Sequence, residues 1–237
     1  MIKNIKLLKK EFIANNTMAF YFEKPTNFEF TAGQYCDITL INPSITDKEE
    51  NIRTLSFAAA PFEKKLLVAT RMRDTAFKNV LKDLSIGSNV KLDGPYGDFT
   101  LHNNEKIPAV FLIGGIGITA VRSIIAQSIF DQLAYKITLL YSNRTPSDAA
   151  FVYDFENFEK ANQNFTFIPI YTKNTDSKWN GEHRHIDIKM INKYVPDLLS
   201  PIYYMSGPPK MVRSMRQMLI NAGIDSANIR TEEFSGY

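Results

Sequence analysis

The sequence has little of what several classes of protein require. Its 237 residues include a single cysteine, Cys36. One cysteine excludes an intramolecular disulfide framework, a cysteine-ligated iron–sulfur cluster and a multi-cysteine zinc site. The longest apolar run, residues 108–121, contains three glycines and is too short to span a bilayer. We therefore expect a cytoplasmic protein with no membrane insertion.

The sequence also has little excess of charge of either sign. The 28 basic and 25 acidic residues leave a formal net charge of only +3, with a pI of about 8.8. An excess this small, without a concentrated basic patch, does not indicate a nucleic-acid partner. A hydrophobic fraction of 44% and a charged fraction of 22% are those of a globular protein, and they exclude disordered, collagen-like and coiled-coil classes.

The first hundred residues are patterned as short strands. One β-rich stretch covers residues 2–25 around Asn15 and Asn16, and Pro, Gly or Asn turns separate the strands that follow it, at residues 36–41, 53–60, 65–72 and 89–94. A short helix, residues 76–84, interrupts them, with Asp74 or Thr75 as its N-cap. Evenly spaced short strands predict an antiparallel β-barrel.

From about residue 107 strands alternate with helices. Five apolar strands are expected, at residues 108–113, 136–142, 165–172, 201–206 and 228–234. The first predicted helix follows the glycines after the first of these strands and ends at Phe130. Three more helices are predicted at residues 151–161, 187–194 and 210–222. This alternation predicts a parallel, doubly wound, Rossmann-like sheet. The polar segment 102–108 separates the two patterns, so the expected domains are residues 1–104 and 105–237.

The glycine-rich segment FLIGGIGITA, residues 111–120, carries the strongest chemical signal. A buried strand ends in glycines that let a ligand approach the backbone. The helix that starts there presents free N–H groups and the positive end of its dipole. The segment therefore indicates a phosphate or dinucleotide site.

Two arginine-containing segments add weaker signals. RTLS, residues 53–56, places an arginine and two hydroxyls on one strand, which suits a phosphate and a heterocycle edge. RMRDTAFK, residues 71–78, places two arginines before a capped helix, where cations and amides would hold a pyrophosphate. Taken alone, the first segment is more typical of a surface arginine on a barrel strand, and arginine-rich strand ends before helices are common on solvated faces.

In chain order, the segments RTLSFAAAP, RMRDTAFK, GPYGDF, GGIGIT, MSGPPKM and EEFSGY resemble the ferredoxin–NADP reductase superfamily. The resemblance extends from Gly33 to Tyr237. It implies a FAD-binding barrel followed by an NAD(P)-binding domain. The order and spacing of the six motifs make it specific.

The resemblance implies FAD as the bound cofactor. Arg53 would neutralise its pyrophosphate and Ser56 would place a hydroxyl near flavin N5, with Thr54 between them. Where the family often has an aromatic residue stacked on the flavin, this chain has Leu55, so the face contact is expected to be apolar. The segment expected to cradle the diphosphate and adenosine favours FAD over FMN and comprises Arg71, Met72, Thr75, Ala76 and Phe77.

The resemblance also implies a nicotinamide nucleotide. Its binding turn matches Gly114, Gly115, Gly117 and Thr119, and the nicotinamide neighbours match Ser206, Gly207 and Pro208. The family has proline where this chain has Ala120, and cysteine where it has Ser206. Phe234 and Tyr237 resemble residues that cover the flavin. The expected catalytic residues are Ser56, Ser206 and Glu233, although Glu232 equally suits the last role.

Arg144 bears on the choice of nucleotide. It follows the second strand of the predicted parallel sheet, near the expected adenosine ribose, where a cation suits the 2′-phosphate of NADPH. Ser142 would assist as a hydroxyl donor. We therefore expect NADPH rather than NADH. The alternative is that Arg144 pairs with Asp148 at the surface.

A pair of histidines, His183 and His185, has spacing that a metal site could use on a strand. No cysteine lies near and no third ligand is evident. Trp179, Gly181 and Arg184 resemble a stretch of the same family, so we assign the segment to a structural loop and expect no metal.

Taken together, the motifs predict hydride transfer from NAD(P)H to FAD. Electrons would then pass to a separate acidic acceptor such as ferredoxin or flavodoxin, attracted by Lys3–Lys10 and Lys64–Lys65. The alternatives are an NAD(P)H-dependent flavin or ferric reductase that uses small acceptors, an electron-transfer subunit of a larger oxidoreductase, and a plain dinucleotide sensor.

Overall fold

The computed structural model describes residues 2–48, 51–173 and 179–234. These residues form one antiparallel and one parallel sheet. The fold class predicted from the sequence is confirmed. The exact domain limits, residues 1–104 and 105–237, stay a prediction.

The first sheet has six antiparallel strands in the order β4-β3-β6-β1-β2-β5. They are β1 (Lys3–Ala14), β2 (Thr17–Glu23), β3 (Tyr35–Leu40), β4 (Ile52–Ser56), β5 (Lys65–Arg71) and β6 (Asn89–Tyr96). The two outer strands meet where Phe57 bridges Val68 and the Ala58 N–H donates to the Leu67 carbonyl at 2.7 Å. This contact curls the sheet into the predicted barrel.

Helix α1 (Ala76–Asp83) covers one opening of the barrel. Thr75 is its N-cap, because the hydroxyl of Thr75 accepts from the backbone N–H of Lys78. Phe77 and Leu81 lie four residues apart on one helix face and are buried in the barrel core. Burial of this face fixes the helix N-terminus at the end of β5.

The second sheet has five parallel strands in the order β11-β10-β7-β8-β9. They are β7 (Ala109–Gly114), β8 (Ile137–Asn143), β9 (Phe165–Tyr171), β10 (Ile202–Gly207) and β11 (Ile229–Glu233). β7 is buried along its whole length, as expected of a central parallel strand.

Helices pack on both faces of the parallel sheet. They are α2 (Ile118–Phe130), α3 (Val152–Ala161), α4 (Ile188–Tyr194) and α5 (Pro209–Asn221). One apolar cluster joins the sheet to α2 and α3, and a second joins the opposite face to α4 and α5. In the described ranges, no helix is long and apolar enough to cross a bilayer.

The two units pack together through α2. Arg122 donates to the carbonyl of Ala58 at 2.7 Å, and Ser123 donates to that of Ala59 at 2.7 Å. Arg122 also bonds Glu63 of the barrel at 2.9 Å and Asp154 of α3 at 2.5 Å. These bonds hold α2 against the segment after β4, so residues from both units face one cleft.

Candidate active site

A cavity of about 410 Å³ lies where the barrel meets the parallel sheet. β4, β5, α1, the turn before α2 and the end of β11 all contribute to it. Its lining residues are Arg53, Thr54, Leu55, Ser56, Ala69, Thr70, Arg71, Arg73, Thr75, Phe77, Lys78, Ile116, Thr119 and Phe234. The structure therefore brings together nine of the residues predicted to bind cofactors.

One end of the cavity is strongly cationic. Arg53, Arg71, Arg73 and Lys78 line it beside the N-terminus of α1. The guanidinium of Arg53 lies 5.1 Å from the ring centroid of Phe77, which holds it toward the helix. Four cations and a helix N-terminus in one place form a site for an anionic group such as a diphosphate.

A carboxylate already lies at this cationic end. Asp47, on the loop between β3 and β4, is 3.4 Å from the guanidinium of Arg53. Its second oxygen accepts from the backbone N–H of Ala76 at 3.0 Å. The N–H of Ala76 and the Arg53 side chain, both predicted to hold the diphosphate, thus share one anionic partner from within the chain.

The wall next to these cations is formed by β4. Ser56 is buried at its end, and Leu55 is buried while also packing into the barrel core. Thr54 is exposed, and its hydroxyl donates to Asp37 at 2.5 Å. The wall therefore offers one apolar side chain and two hydroxyls, which suits a flat heterocycle with polar edges.

The glycine-rich turn faces the barrel from the other side. β7 ends at Gly114, a 3₁₀ turn covers Gly115–Gly117, and α2 begins at Ile118. Thr119 in the first turn of α2 lines the cavity, with its hydroxyl donating to the Ile116 carbonyl at 3.1 Å. The sequence analysis placed the helix start among the glycines, whereas the structure inserts a tighter turn.

Two close approaches fix this turn. A Cβ on Gly117 would lie 2.6 Å from the carbonyl carbon of Ser206, so β10 leaves no room for a side chain. Gly207 has a φ of +149° and would place a Cβ 2.9 Å from the carbonyl oxygen of Gly114. The ends of β7 and β10 therefore meet backbone to backbone, with Pro208 following at the start of α5.

Ser206 and Glu232 are neighbours at the end of this sheet. They are register partners on β10 and β11, so their side chains point to the same face. Burial, together with the nearby charge of Asp98, raises the pKa of the Glu232 carboxyl from 4.5 to about 7. Glu233 instead faces Arg213, with its carboxylate at 3.7 Å. Of the two acids, Glu232 is thus the one beside Ser206, and the role predicted for Glu233 stays a prediction.

The predicted nucleotide-selecting residues lie at the adjacent strand end. Ser142 on β8 is the register partner of Gly114, and Arg144 follows the strand in an exposed position. Asp148 accepts from both the N–H and the hydroxyl of Thr145, at 3.1 and 2.7 Å. The Asp148 carboxylate therefore bonds Thr145, and no ion pair recorded among the described residues joins it to Arg144.

One predicted cofactor-binding residue packs away from the cavity. Met72 packs against the barrel core rather than lining the cavity. Tyr237 lies outside the described residues. His183 and His185 are exposed, and no group of three or more metal-ligating side chains occurs in residues 2–48, 51–173 and 179–234. The expectation of no metal stays a prediction.

Several residues at the cavity were not predicted from the sequence. Lys78, Thr70 and Ile116 line the cavity, and Asp47 contacts its cationic end. Thr70 lies directly before Arg71 on β5, so extending the predicted segment 71–78 by one residue would have included it. Asp47 carries no local signal, because it meets α1 only through the barrel's closure.

The residues present fit FAD. The cationic end matches the two negative charges of a diphosphate, and Leu55 with the buried Ser56 matches an apolar ring with polar edges. The N-termini of α1 and α2 both lie at the cavity. Two anionic groups can therefore bind there, each at the N-terminus of a different helix.

Comparisons with known proteins agree with this arrangement. Residues 4–101 match the family described as oxidoreductase FAD-binding domain, and residues 111–217 match the oxidoreductase NAD-binding domain. The chain belongs to the ferredoxin–NADP reductase superfamily. It therefore carries the two domains of a flavoprotein oxidoreductase that uses FAD and a pyridine nucleotide.

The curated relatives are larger proteins. One is a subunit of the Na⁺-translocating NADH-quinone reductase of Methylococcus capsulatus, which is 29% identical over 210 residues, 80% of this chain and 50% of that protein. Another is the reductase component of propane 2-monooxygenase of Rhodococcus jostii, which is 24% identical over 216 residues, 90% of this chain and 57% of that protein. The chain thus spans about half the length of these relatives.

A solved structure of similar length shares the fold. The ferredoxin–NADP⁺ reductase of Neisseria gonorrhoeae, with bound FAD and NADP, superposes with a TM-score of 0.80 at 19% identity. The match covers 98% of each chain. At this identity the likeness establishes the fold alone.

Proposed function

We propose that this protein transfers a hydride from NAD(P)H to bound FAD and passes the electrons to an acidic protein acceptor. The observation that carries the proposal is the shared cavity, in which Arg53 and Ser56 of the barrel face Thr119 of the nucleotide turn. The flavin, when bound, would accept two electrons as hydride and release them singly.

The chain's own contribution is positioning. Arg53, Arg71 and the N-terminus of α1 would hold the diphosphate, while Leu55 and Phe234 would contact the rings. The turn Gly115–Gly117 would place the nucleotide on the opposite side. Catalysis would come mainly from holding donor and acceptor atoms about 3–3.5 Å apart in a fixed orientation.

Three polar side chains would orient the reacting rings. Ser56 is buried at the end of β4 and would bond the flavin edge. Ser206 and Glu232 lie side by side at the end of the parallel sheet and would bond the nicotinamide amide. Hydride transfer itself needs no general base, so these groups act by orientation.

NADPH is the proposed nucleotide. Arg144 is exposed at the carboxyl end of β8, beside Ser142. Because Asp148 bonds Thr145 instead of Arg144, that carboxylate does not compete for the guanidinium. A cation there suits the 2′-phosphate of NADPH.

Ferredoxin or flavodoxin is the proposed class of acceptor. Lys6 and Lys9 on β1 and Lys64 and Lys65 at the start of β5 are exposed, and the pI of 8.8 gives the chain a positive excess. Such a surface would attract an acidic protein at low ionic strength. Rising salt should slow reduction of an acidic protein acceptor more than reduction of a small neutral acceptor.

A second candidate is a reductase component of a larger assembly. It is supported by the relatives, one a subunit of a quinone reductase and the other a component of a monooxygenase. In that case the FAD chemistry would be the same, and only the recipient of the electrons would differ.

The test is reconstitution with FAD followed by an assay of NADPH oxidation with ferricyanide as acceptor. The wild type should retain FAD through gel filtration and oxidise NADPH. Arg53→Ala should lose the flavin, while the control Arg184→Ala, at an exposed arginine outside the cavity, should retain it. A wild type that retains no flavin and oxidises no NADPH would contradict the proposal.

A further inference from the structure

Asp47 makes an unusual pair of contacts for a loop residue. One carboxylate oxygen lies 3.4 Å from the guanidinium of Arg53, and the other accepts from the N–H of Ala76 at 3.0 Å. Arg53 comes from β4 and Ala76 opens α1, so the carboxylate joins two different elements beside the cavity. Its side chain is 30% exposed, so it is reachable from solvent.

These contacts are the ones that a phosphate would make. A phosphate at a helix N-terminus accepts from a backbone N–H of the first turn and pairs with a nearby arginine. Asp47 satisfies both groups with one negative charge. Arg71, Arg73 and Lys78 line the same cavity, so further cations lie beside these two contacts.

We propose that Asp47 is an internal competitor for the flavin diphosphate, and that it sets how strongly the protein distinguishes FAD from flavins without phosphate. The inference rests on the proposed function, since it requires FAD at this cavity. Binding of FAD would exchange the Asp47 carboxylate for a diphosphate oxygen at Arg53 and at the N–H of Ala76.

As a consequence, Asp47 lowers the affinity only for flavins that carry phosphate. Asp47 must leave two partners when a diphosphate arrives, and a carboxylate that stays nearby repels the diphosphate. Riboflavin carries no phosphate and meets neither cost. Asp47 therefore weakens binding of FAD and of FMN while leaving the ring's own binding unchanged.

A purely structural role makes a different prediction. If Asp47 only caps α1, its loss would weaken the helix N-terminus and with it the FAD site. Removing the charge would then weaken FAD binding or leave it unaltered. The two accounts thus differ in the sign of the change in FAD affinity.

The experiment compares wild type, Asp47→Asn and Asp83→Asn, each freed of flavin. Asparagine retains an oxygen that can accept from Ala76 but removes the charge. Asp83 is an exposed carboxylate at the opposite end of α1, so its variant removes the same charge away from the site. FAD, FMN and riboflavin are titrated separately at fixed ionic strength, and binding is followed by quenching of flavin fluorescence.

Asp47→Asn should bind FAD about three- to tenfold more tightly, the size expected for one charge-assisted contact at a partly exposed site. Its affinity for riboflavin, and the FAD affinity of Asp83→Asn, should each stay within about twofold of wild type.

Two results would overturn the inference. If wild type binds FAD and Asp47→Asn binds it no more tightly, or binds riboflavin more tightly by the same factor, Asp47 is not a competitor for phosphate. If neither protein binds any of the three flavins, the proposed function itself fails and the inference falls with it.

Discussion

Ser206 and Glu232 are register partners on the parallel strands β10 and β11, and both end in buried oxygens that lack a hydrogen-bond partner among the described residues. Buried polar atoms without partners cost free energy. Two of them side by side, at strand ends that adjoin the turn Gly115–Gly117, suit a site that is completed by a ligand. The proposed nicotinamide amide, which both donates and accepts, suits this pair.

The buried carboxyl of Glu232 should make stability depend on pH. Burial raises its pKa from 4.5 to about 7, so the folded state binds the proton more tightly than the unfolded state does. The contribution of this carboxyl to the free energy of unfolding is therefore greatest below about pH 4.5, and it is lost as the pH rises to about 7. At about 1.36 kcal/mol for each pH unit, the loss is about 3 kcal/mol.

Urea unfolding at pH 5 and pH 8 checks this. The side chain of Glu232→Gln cannot ionise. Between pH 5 and pH 8 the free energy of unfolding of this variant should therefore fall by about 3 kcal/mol less than that of wild type. Glu233→Gln, at the neighbouring exposed position, should follow wild type. Equal losses in wild type and Glu232→Gln would mean that Glu232 is ionised in the folded state throughout.

A methyl group at Gly117 should disrupt the nucleotide turn. Gly117 has an ordinary φ of −56°, so only the clash with the backbone of Ser206 opposes a side chain there. We expect Gly117→Ala to cost about 1–3 kcal/mol of stability and to raise the KM for NADPH.

Gly87→Ala is the matched control, because Gly87 has a φ of +91° and open space around its Cα. That variant should cost about 1 kcal/mol through backbone strain and leave the KM unchanged. An unaltered KM in Gly117→Ala would show that the turn does not hold the nucleotide.

Removing Arg144 should change the choice of nucleotide rather than the chemistry. Arg144→Ala should raise the KM for NADPH by about ten- to a hundredfold, as loss of a charge-assisted contact to phosphate does. The KM for NADH and both kcat values should stay within about twofold. Arg216→Ala, at an exposed position on α5, serves as control, and a parallel rise in both KM values would contradict the assignment.

The contact between the two units should depend on Arg122. Its guanidinium bonds Ala58, Glu63 and Asp154, and its side chain is 11% exposed. Arg122→Met would leave two carboxylates facing each other without the cation, at a cost of about 2 kcal/mol after allowance for their partial exposure. Urea unfolding should show this loss, whereas a cost no greater than that of Arg216→Met would mean the bonds contribute little.

Most of the fold was predictable from local patterns. The continuous apolar strand β7 and the alternation of strand and helix after it predict the parallel sheet, because each strand must be buried on both faces. Thr75 was among the predicted caps of α1, since its hydroxyl can reach an N–H three residues on.

Parts of the site were not predictable from such patterns. Alternation shows that Glu232 and Glu233 face opposite ways, but only the register with β10 shows which one meets Ser206. Asp47 reaches Ala76 across 29 residues of sequence, through the closure of the barrel. Both features depend on tertiary packing, which residue spacing does not encode.

The most direct measurement is an anaerobic titration of the FAD-loaded protein with NADPH and, in parallel, with NADH, followed by visible absorbance. The account predicts that the yellow flavin is bleached by stoichiometric NADPH and only by much higher NADH. If NADPH and NADH bleach the flavin equally well, hydride transfer to FAD is still supported, but the proposed role of Arg144 is contradicted. A bound flavin that neither nucleotide bleaches would contradict the central claim.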